Sequence, residues 1–412
     1  MDLQAVTLPN GIRLVHQPVS GNVAHCGVFI GAGTRDETTR EHGIAHFIEH
    51  TIFKGTEKRD VYHVLNRLEN VGADLNAFTS KEETVIYASF LKEDYERTFE
   101  LFQDILFHSV FPEKEIGKEK QVVMDEITSY LDTPSEQVVD DFEDLVFKGH
   151  ALGHNILGSK KSLERFTRED LLGFIRRNYH PERIVIVSVG NIGFGMLTKW
   201  AEKYFNQAPG RSRPIPRKGF RTFRPMRELK RKKIYQVHCV LGGLAYPFGS
   251  RKRIPLALLN NMLGGPLMNS RLSLALRERN GLTYQNDSVY MPYSDTGIIS
   301  IYFGTDPVHY EKALSIVEKE LRRLRTEKLT PAQMKIIRRQ LIGQLSIGRE
   351  SNVGMMLAIG KNYLLQDRFD PLEKIVAAIE ATTPELLLDI ANEIFDPAVL
   401  SMLTFLPDKG HG

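Results

Sequence analysis

The chain has 412 residues, 42% hydrophobic and 25% charged, with 54 Lys and Arg against 51 Asp and Glu for a formal net charge of +3. That is the composition of a globular protein of two or three domains, and it excludes intrinsic disorder as an organising theme. Balanced charge leaves no global field to gather nucleic acid, and two cysteines, Cys26 and Cys239, are too few for a disulfide framework or a four-ligand structural zinc site. The first residues carry no secretory or organelle address and no stretch is apolar enough to span a membrane, so a cytoplasmic protein with no membrane partner is expected.

In chain order, short β-branched runs predict strands at 13–16, 26–30, 85–90 and 184–189, and apolar residues at helical spacing predict helices at 94–109, 113–131 and 168–179. A further helix is predicted between Thr39 and Gly55, opened by the threonine, closed by the glycine and apolar at Ile44, Phe47, Ile48 and Ile52. Strands precede long helices without strict alternation. This favours an α+β fold in which helices cover one face of an antiparallel sheet.

Pro209, Pro214, Pro216 and Pro225 interleave with Arg211, Arg213, Arg217, Lys218 and Lys230, which predicts a solvated linker over 209–233. The flanking stretches, 1–208 and 234–412, read as two copies of one plan. The run from His25 returns at His238, 213 positions on; Glu83 to Tyr87 returns at Asp295 to Ile299, offset by 212; the helix after Pro112 returns after Pro331, offset by 219. Three ordered matches at nearly one offset predict an internal duplication.

Chemistry concentrates in His46-Phe47-Ile48-Glu49-His50. Two imidazoles at i and i+4 leave one face of a helix a turn apart, and an adjacent carboxylate can take a proton from metal-activated water. His42 is the competing ligand. A catalytic zinc needs a third protein donor. Glu119 and Glu126 stand seven residues apart, two turns along one helix, beside apolar Val122, Val123 and Ile127. Glu126 as ligand and Glu119 as the carboxylate orienting an imidazole make physical sense, although a pair of solvated glutamates fits the same spacing.

Together with Phe53-Lys54-Gly55-Thr56, Asn76-Ala77-Phe78-Thr79-Ser80, Glu126 and the segment from Ser270 through Arg277 to Tyr284, the motif resembles the inverted-zincin pitrilysin/insulinase family of metallopeptidases over nearly the whole chain. Length and duplicated halves are similar to the branch that includes mitochondrial processing peptidase and its bacterial relatives. The resemblance implies one zinc per chain on His46, His50 and Glu126, with Glu49 as general base. It implies that Arg277 and Tyr284, from a second half without metal ligands, stabilise the oxyanion. It also implies that Asn76, Ala77 and Phe78 lie on an edge strand to which a peptide adds. A zinc endopeptidase acting on peptides or unfolded segments follows, in a clamshell of four domains made by a homodimer. Thr51 departs from the Met or Leu usual after the second histidine. The acidic run Glu136, Asp140, Asp141, Glu143 and Asp144 could hold basic peptide residues or simply face solvent. A non-catalytic scaffold or subunit of a processing peptidase complex is the alternative, and it has no need of these four zinc-site residues.

Overall fold

A computed structural model describes residues 3–206, 216–220 and 222–408. The first half forms β1 (Gln4–Thr7), β2 (Arg13–Pro18), β3 (Val23–Ile30), α1 (Ile44–Thr51), α2 (Val61–Glu69), β4 (Asp74–Thr79), β5 (Thr84–Leu91), α3 (Tyr95–Phe107), α4 (Glu113–Leu131), α5 (Pro134–Val146), α6 (Lys160–Arg165), α7 (Arg168–Asn178), β6 (Ile184–Gly190) and α8 (Phe194–Phe205). The second forms β7 (Arg227–Lys232), β8 (Val237–Ala245), α9 (Arg253–Gly264), β9 (Thr283–Pro292), β10 (Gly297–Thr305), α10 (Tyr310–Thr326), α11 (Pro331–Arg349), α12 (Asn352–Gln366), α13 (Leu372–Ala381), α14 (Pro384–Ile394) and β11 (Ser401–Pro407). Among the described residues no helix is long and apolar enough to cross a membrane.

Local sequence explains where the strands sit. β6, Ile-Val-Ile-Val-Ser-Val-Gly, is buried at every position, as an uninterrupted β-branched run in mid-sheet requires. β7, Arg-Glu-Leu-Lys-Arg-Lys, has no fully buried position and takes a sheet edge, where charged side chains discourage pairing with other chains.

The described residues fall into two compact units. The first draws on Met1–Thr128, His154–Lys218 and Gly348–Phe369; the second draws on Ser129–Gly153, Gly219–Ile347 and Asp370–Gly412. Relative to a contiguous division at 208 and 234, each unit holds one helix from the other half of the chain. The first unit's sheet runs β1-β2-β6-β3-β5-β4 and the second's runs β7-β11-β8-β10-β9. In each, one parallel pair (β2 with β6, β7 with β11) joins an otherwise antiparallel array. Laying β7-β11-β8-β10-β9 on β2-β6-β3-β5-β4 reproduces every pairing, the topology that a duplication leaves.

The α+β expectation holds, with two additions: the parallel pair, and helices on both sheet faces. In the first unit α12 packs Met356 and Ile359 on Val15, Phe29, Val85 and Val187. In the second, α5 packs Val138, Phe142 and Val146 on Val240, Leu403 and Phe405. The opposite faces carry the larger cores, which include Phe47, Phe99 and Phe102 in one unit and Leu256, Leu259 and Phe303 in the other.

Residues 207–215 and 221, with Pro209, Arg211, Arg213 and Pro214 of the expected linker, lie outside the described residues. The rest of 209–233 is no solvated connector. Arg217 bonds Asp36 Oδ2 (2.8 Å) and the carbonyls of Gly31 (2.9 Å) and Glu82 (2.6 Å), and β7 is a strand whose Lys230 meets Asp141 at 3.0 Å. Those basic residues are held by internal acceptors.

Candidate metal centre

The helix that carries His46 and His50 is shorter than the sequence predicts. Gly43 adopts a left-handed conformation (φ 91°), so α1 begins at Ile44 and the residues from Thr39 stay outside it. No side chain caps it locally. Glu37 serves from a distance, its carboxylate accepting from Gly43 N–H (2.9 Å) and Ala45 N–H (3.0 Å). Burial pushes the Glu37 carboxyl well above its ordinary range, against the effect of those two hydrogen bonds. At the other end Thr51, fully buried, bonds its hydroxyl back to the Phe47 carbonyl at 2.7 Å, so its polar atom is satisfied inside the core.

From this anchored helix His46 and His50 project together, ring centroids 4.6 Å apart. Glu126, on α4, brings its Oε2 to 3.7 Å from His46 Nε2 and 3.5 Å from His50 Nε2. That oxygen is buried and makes no hydrogen bond. One donor atom from each of His46, His50 and Glu126 lies within 4.8 Å of the others. His42 does not join them; the turn before Ile44 takes it elsewhere, where its Nε2 meets the Asn155 carbonyl at 3.0 Å.

The donor set fits a catalytic zinc. Donors about 2.0–2.1 Å from a tetrahedral ion stand about 3.4 Å from each other, close to the observed contacts between carboxylate and imidazole. Burial, with His50 adding to it, lowers the His46 pKa to about 3, so its imidazole is neutral as a ligand must be. A buried carboxylate oxygen without a hydrogen bond costs stability unless a cation compensates it.

Glu119 faces His50 Nδ1 at 3.5 Å through Oε2, and Lys54 Nζ holds its Oε1 at 2.9 Å. Glu49 follows Ile48 on α1. Burial raises its pKa, opposed by hydrogen bonds from the side chain and backbone of Thr79, the last residue of β4. Asn76, Ala77 and Phe78 pair with Tyr87, Ile86 and Val85 of β5, and β4 ends the sheet, leaving its other edge without a strand among the described residues. Lys54, Thr79 and Glu37 were not assigned these supporting roles from sequence. Lys54 and Thr79 sit inside the motifs already quoted, and only packing reveals their partners.

Arg277 and Tyr284 belong to the second unit. Arg277 lies in a π-type helical turn, Ser273–Glu278, a geometry often found at functional sites. Its guanidinium stands 5.4 Å from the centre of the Tyr284 ring, and Tyr284 is 84% exposed, so the pair forms locally with the phenol accessible. Of the acidic run, Asp141 is engaged by Lys230 and Glu143 is buried.

Residues 14–160 match the family model described as insulinase (peptidase family M16), and 165–341 match peptidase M16 inactive domain. The uncharacterised zinc protease YmxG of Bacillus subtilis is 34% identical over 397 residues, covering 95% of this chain and 96% of that one. The chain belongs to the M16 insulinase family. An uncharacterised zinc protease of Streptomyces coelicolor is 30% identical over 417 residues, 99% of this M16 chain and 90% of its own. Two solved structures share the fold. A peptidase M16 inactive domain from Pseudomonas fluorescens superposes with TM-score 0.93 at 18% identity, covering all of both chains, and a protease from Helicobacter pylori with TM-score 0.87 at 20%, covering 98% and 99%.

Proposed function

We propose that this M16 chain is a zinc-dependent endopeptidase for peptides and extended protein segments. The observation that carries the reading is the convergence of His46, His50 and Glu126 donor atoms beside Glu49. His46, His50 and Glu126 would hold one zinc, which when bound acidifies a water and polarises the scissile carbonyl. Glu49, its affinity for protons raised by burial, accepts the proton of the attacking water and passes it to the leaving amine. Glu119, held by Lys54, fixes the His50 ring.

The edge of β4 that carries no strand among the described residues offers backbone groups to an extended substrate, with Asn76, Ala77 and Phe78 along it. That mode selects unfolded segments, because a folded protein has few unpaired strands to offer. Arg277 and Tyr284 are the proposed donors to the developing oxyanion. A homodimer is the proposed assembly, supplying four domains of this type, and the cytoplasm the proposed compartment.

The test is cleavage of a quenched library of unstructured peptides by the purified chain, beside Glu49→Gln and beside protein stripped with a chelator and resupplied with zinc. Turnover lost in both and restored by zinc supports the reading. A chain that binds about one zinc and cuts nothing is a scaffold or an incomplete subunit.

A further inference from the structure

The second unit contains a partly enclosed cleft of about 220 Å³, built within that unit alone. Leu241 of β8, Leu321 of α10 and Phe395 and Leu400 from the connection between α14 and β11 form apolar walls. Met402 of β11 pairs across the sheet with Leu241 on one side and Arg227 of β7 on the other, which brings Arg227 to the cleft. Glu318, Arg322 and Arg325 come from successive turns of α10.

Charge in this cleft is unmatched. Three arginines and one acidic residue, Glu318, line it. Among the described residues Arg227 and Arg322 have no ion pair and no side-chain hydrogen bond. Arg325 reaches Asp396 only at 3.9 Å, and its Nε is buried with no acceptor. With three arginines and one glutamate the lining carries a net positive charge, which an anionic group entering the cleft would offset. The apolar walls add a second requirement: phosphate or sulfate would satisfy the arginines and leave those walls unused.

We propose that this cleft binds a small carboxylate carrying a short apolar tail, with the carboxylate against Arg227, Arg322 and Arg325 and the tail against Leu241, Leu321 and Leu400. The planar guanidinium fork matches a carboxylate in two-point contact. The volume falls below the roughly 300 Å³ at which pockets for drug-sized ligands begin, which favours a tail of medium length over a long lipid chain. The same chemistry is offered by a medium-chain fatty acid and by the C-terminal residue of an apolar peptide. The site is separate from the proposed metal ligands, none of which belongs to this unit.

The experiment titrates the full chain with octanoate, N-acetyl-leucine and the neutral octanamide, by calorimetry and by methyl NMR. The titration is repeated with Arg227→Gln/Arg322→Gln, both changes at exposed positions. A carboxylate should bind roughly tenfold or more tightly than octanamide, with shifts at the Leu241, Leu321, Leu400 and Met402 methyls, and the double variant should lose roughly tenfold in affinity. Preference for N-acetyl-leucine over octanoate assigns a peptide terminus, and the reverse a fatty acid. Equal binding of octanamide, an unchanged double variant, shifts confined to other methyls, or no binding of either carboxylate overturns the proposal.

Discussion

Lys54 Nζ lies 2.9 Å from one oxygen of Glu119 while the other oxygen of that carboxylate faces His50 Nδ1 at 3.5 Å. A lysine three residues past α1 therefore sets the position of a carboxylate on α4, and through it the ring of a proposed ligand. Lys54→Met should weaken zinc binding by roughly 10-fold, and Glu119→Gln by roughly 10- to 100-fold, read by competition with a chromogenic chelator. Lys54→Arg, which keeps the charge, should recover part of the loss. Unchanged affinity in both variants would reduce the pair to a structural ion pair with no hold on the site.

Glu37 holds the start of α1 through two backbone N–H groups, although it lies outside the helix. Glu37→Ala leaves those donors buried without acceptors and should destabilise the fold by about 1–3 kcal/mol in denaturant unfolding. Zinc affinity should fall as well, because His46 follows directly on the anchored turn.

The same carboxyl gives stability a pH dependence of defined sign. Its folded-state pKa is raised, so between the ordinary carboxylate value and the raised one the native state binds more protons than the unfolded chain. Unfolding free energy contributed by Glu37 consequently falls as pH rises through that window, and is level above it. In Glu37→Gln this slope is absent, so the advantage of the parent protein over the variant should shrink with rising pH. Parallel melts across the window check this, and an advantage that grows with pH would contradict it.

Arg217 is clamped by Asp36 and two carbonyls in the first unit. Arg217→Met leaves Asp36, 4% exposed at its side chain, with Arg183 at 3.4 Å as its remaining cation and should cost about 1–3 kcal/mol. Arg217→Lys should recover little, since one ammonium cannot reproduce a fork that meets four acceptor atoms on three residues. Thermal unfolding of the three proteins measures both.

Tyr284→Phe and Arg277→Met should each lower kcat by roughly 10²- to 10³-fold while leaving zinc content unchanged, if these two are the donors to the oxyanion. A rise in KM alone would place them in binding and not in the transition state.

The pairing of His46 with His50 was legible because it rests on helical periodicity, four residues within α1, whereas the seven-residue spacing of Glu119 and Glu126 on α4 fitted solvated glutamates equally and only the family resemblance joined Glu126 to the histidines. The start of α1 was not legible, since Thr39 looks like a cap while the actual anchor, Glu37, acts through a fold of the chain about Gly43. The basic run at 209–233 resembled a solvated tether because Arg217 and Lys230 find their acceptors in residues far away in sequence. An amphipathic helix such as α5 shows in its sequence that it has an apolar face, and nothing in that pattern says which sheet the face will cover.

α5 and α12 begin 218 positions apart, at Pro134 and Asn352, the same interval that separates the starts of α4 and α11, Glu113 and Pro331. They are therefore the two copies of one helix, yet α5 lies on β8 and β11 while α12 lies on β3 and β6. Each copy covers the sheet encoded by the other half of the gene. A half-length ancestor with this topology would have had a bare sheet face and a homeless helix, and two such chains would cure both defects by trading helices. The chain makes that reciprocal exchange inside one polypeptide, so severing it between the halves should yield fragments that are insoluble alone and reassemble when made together.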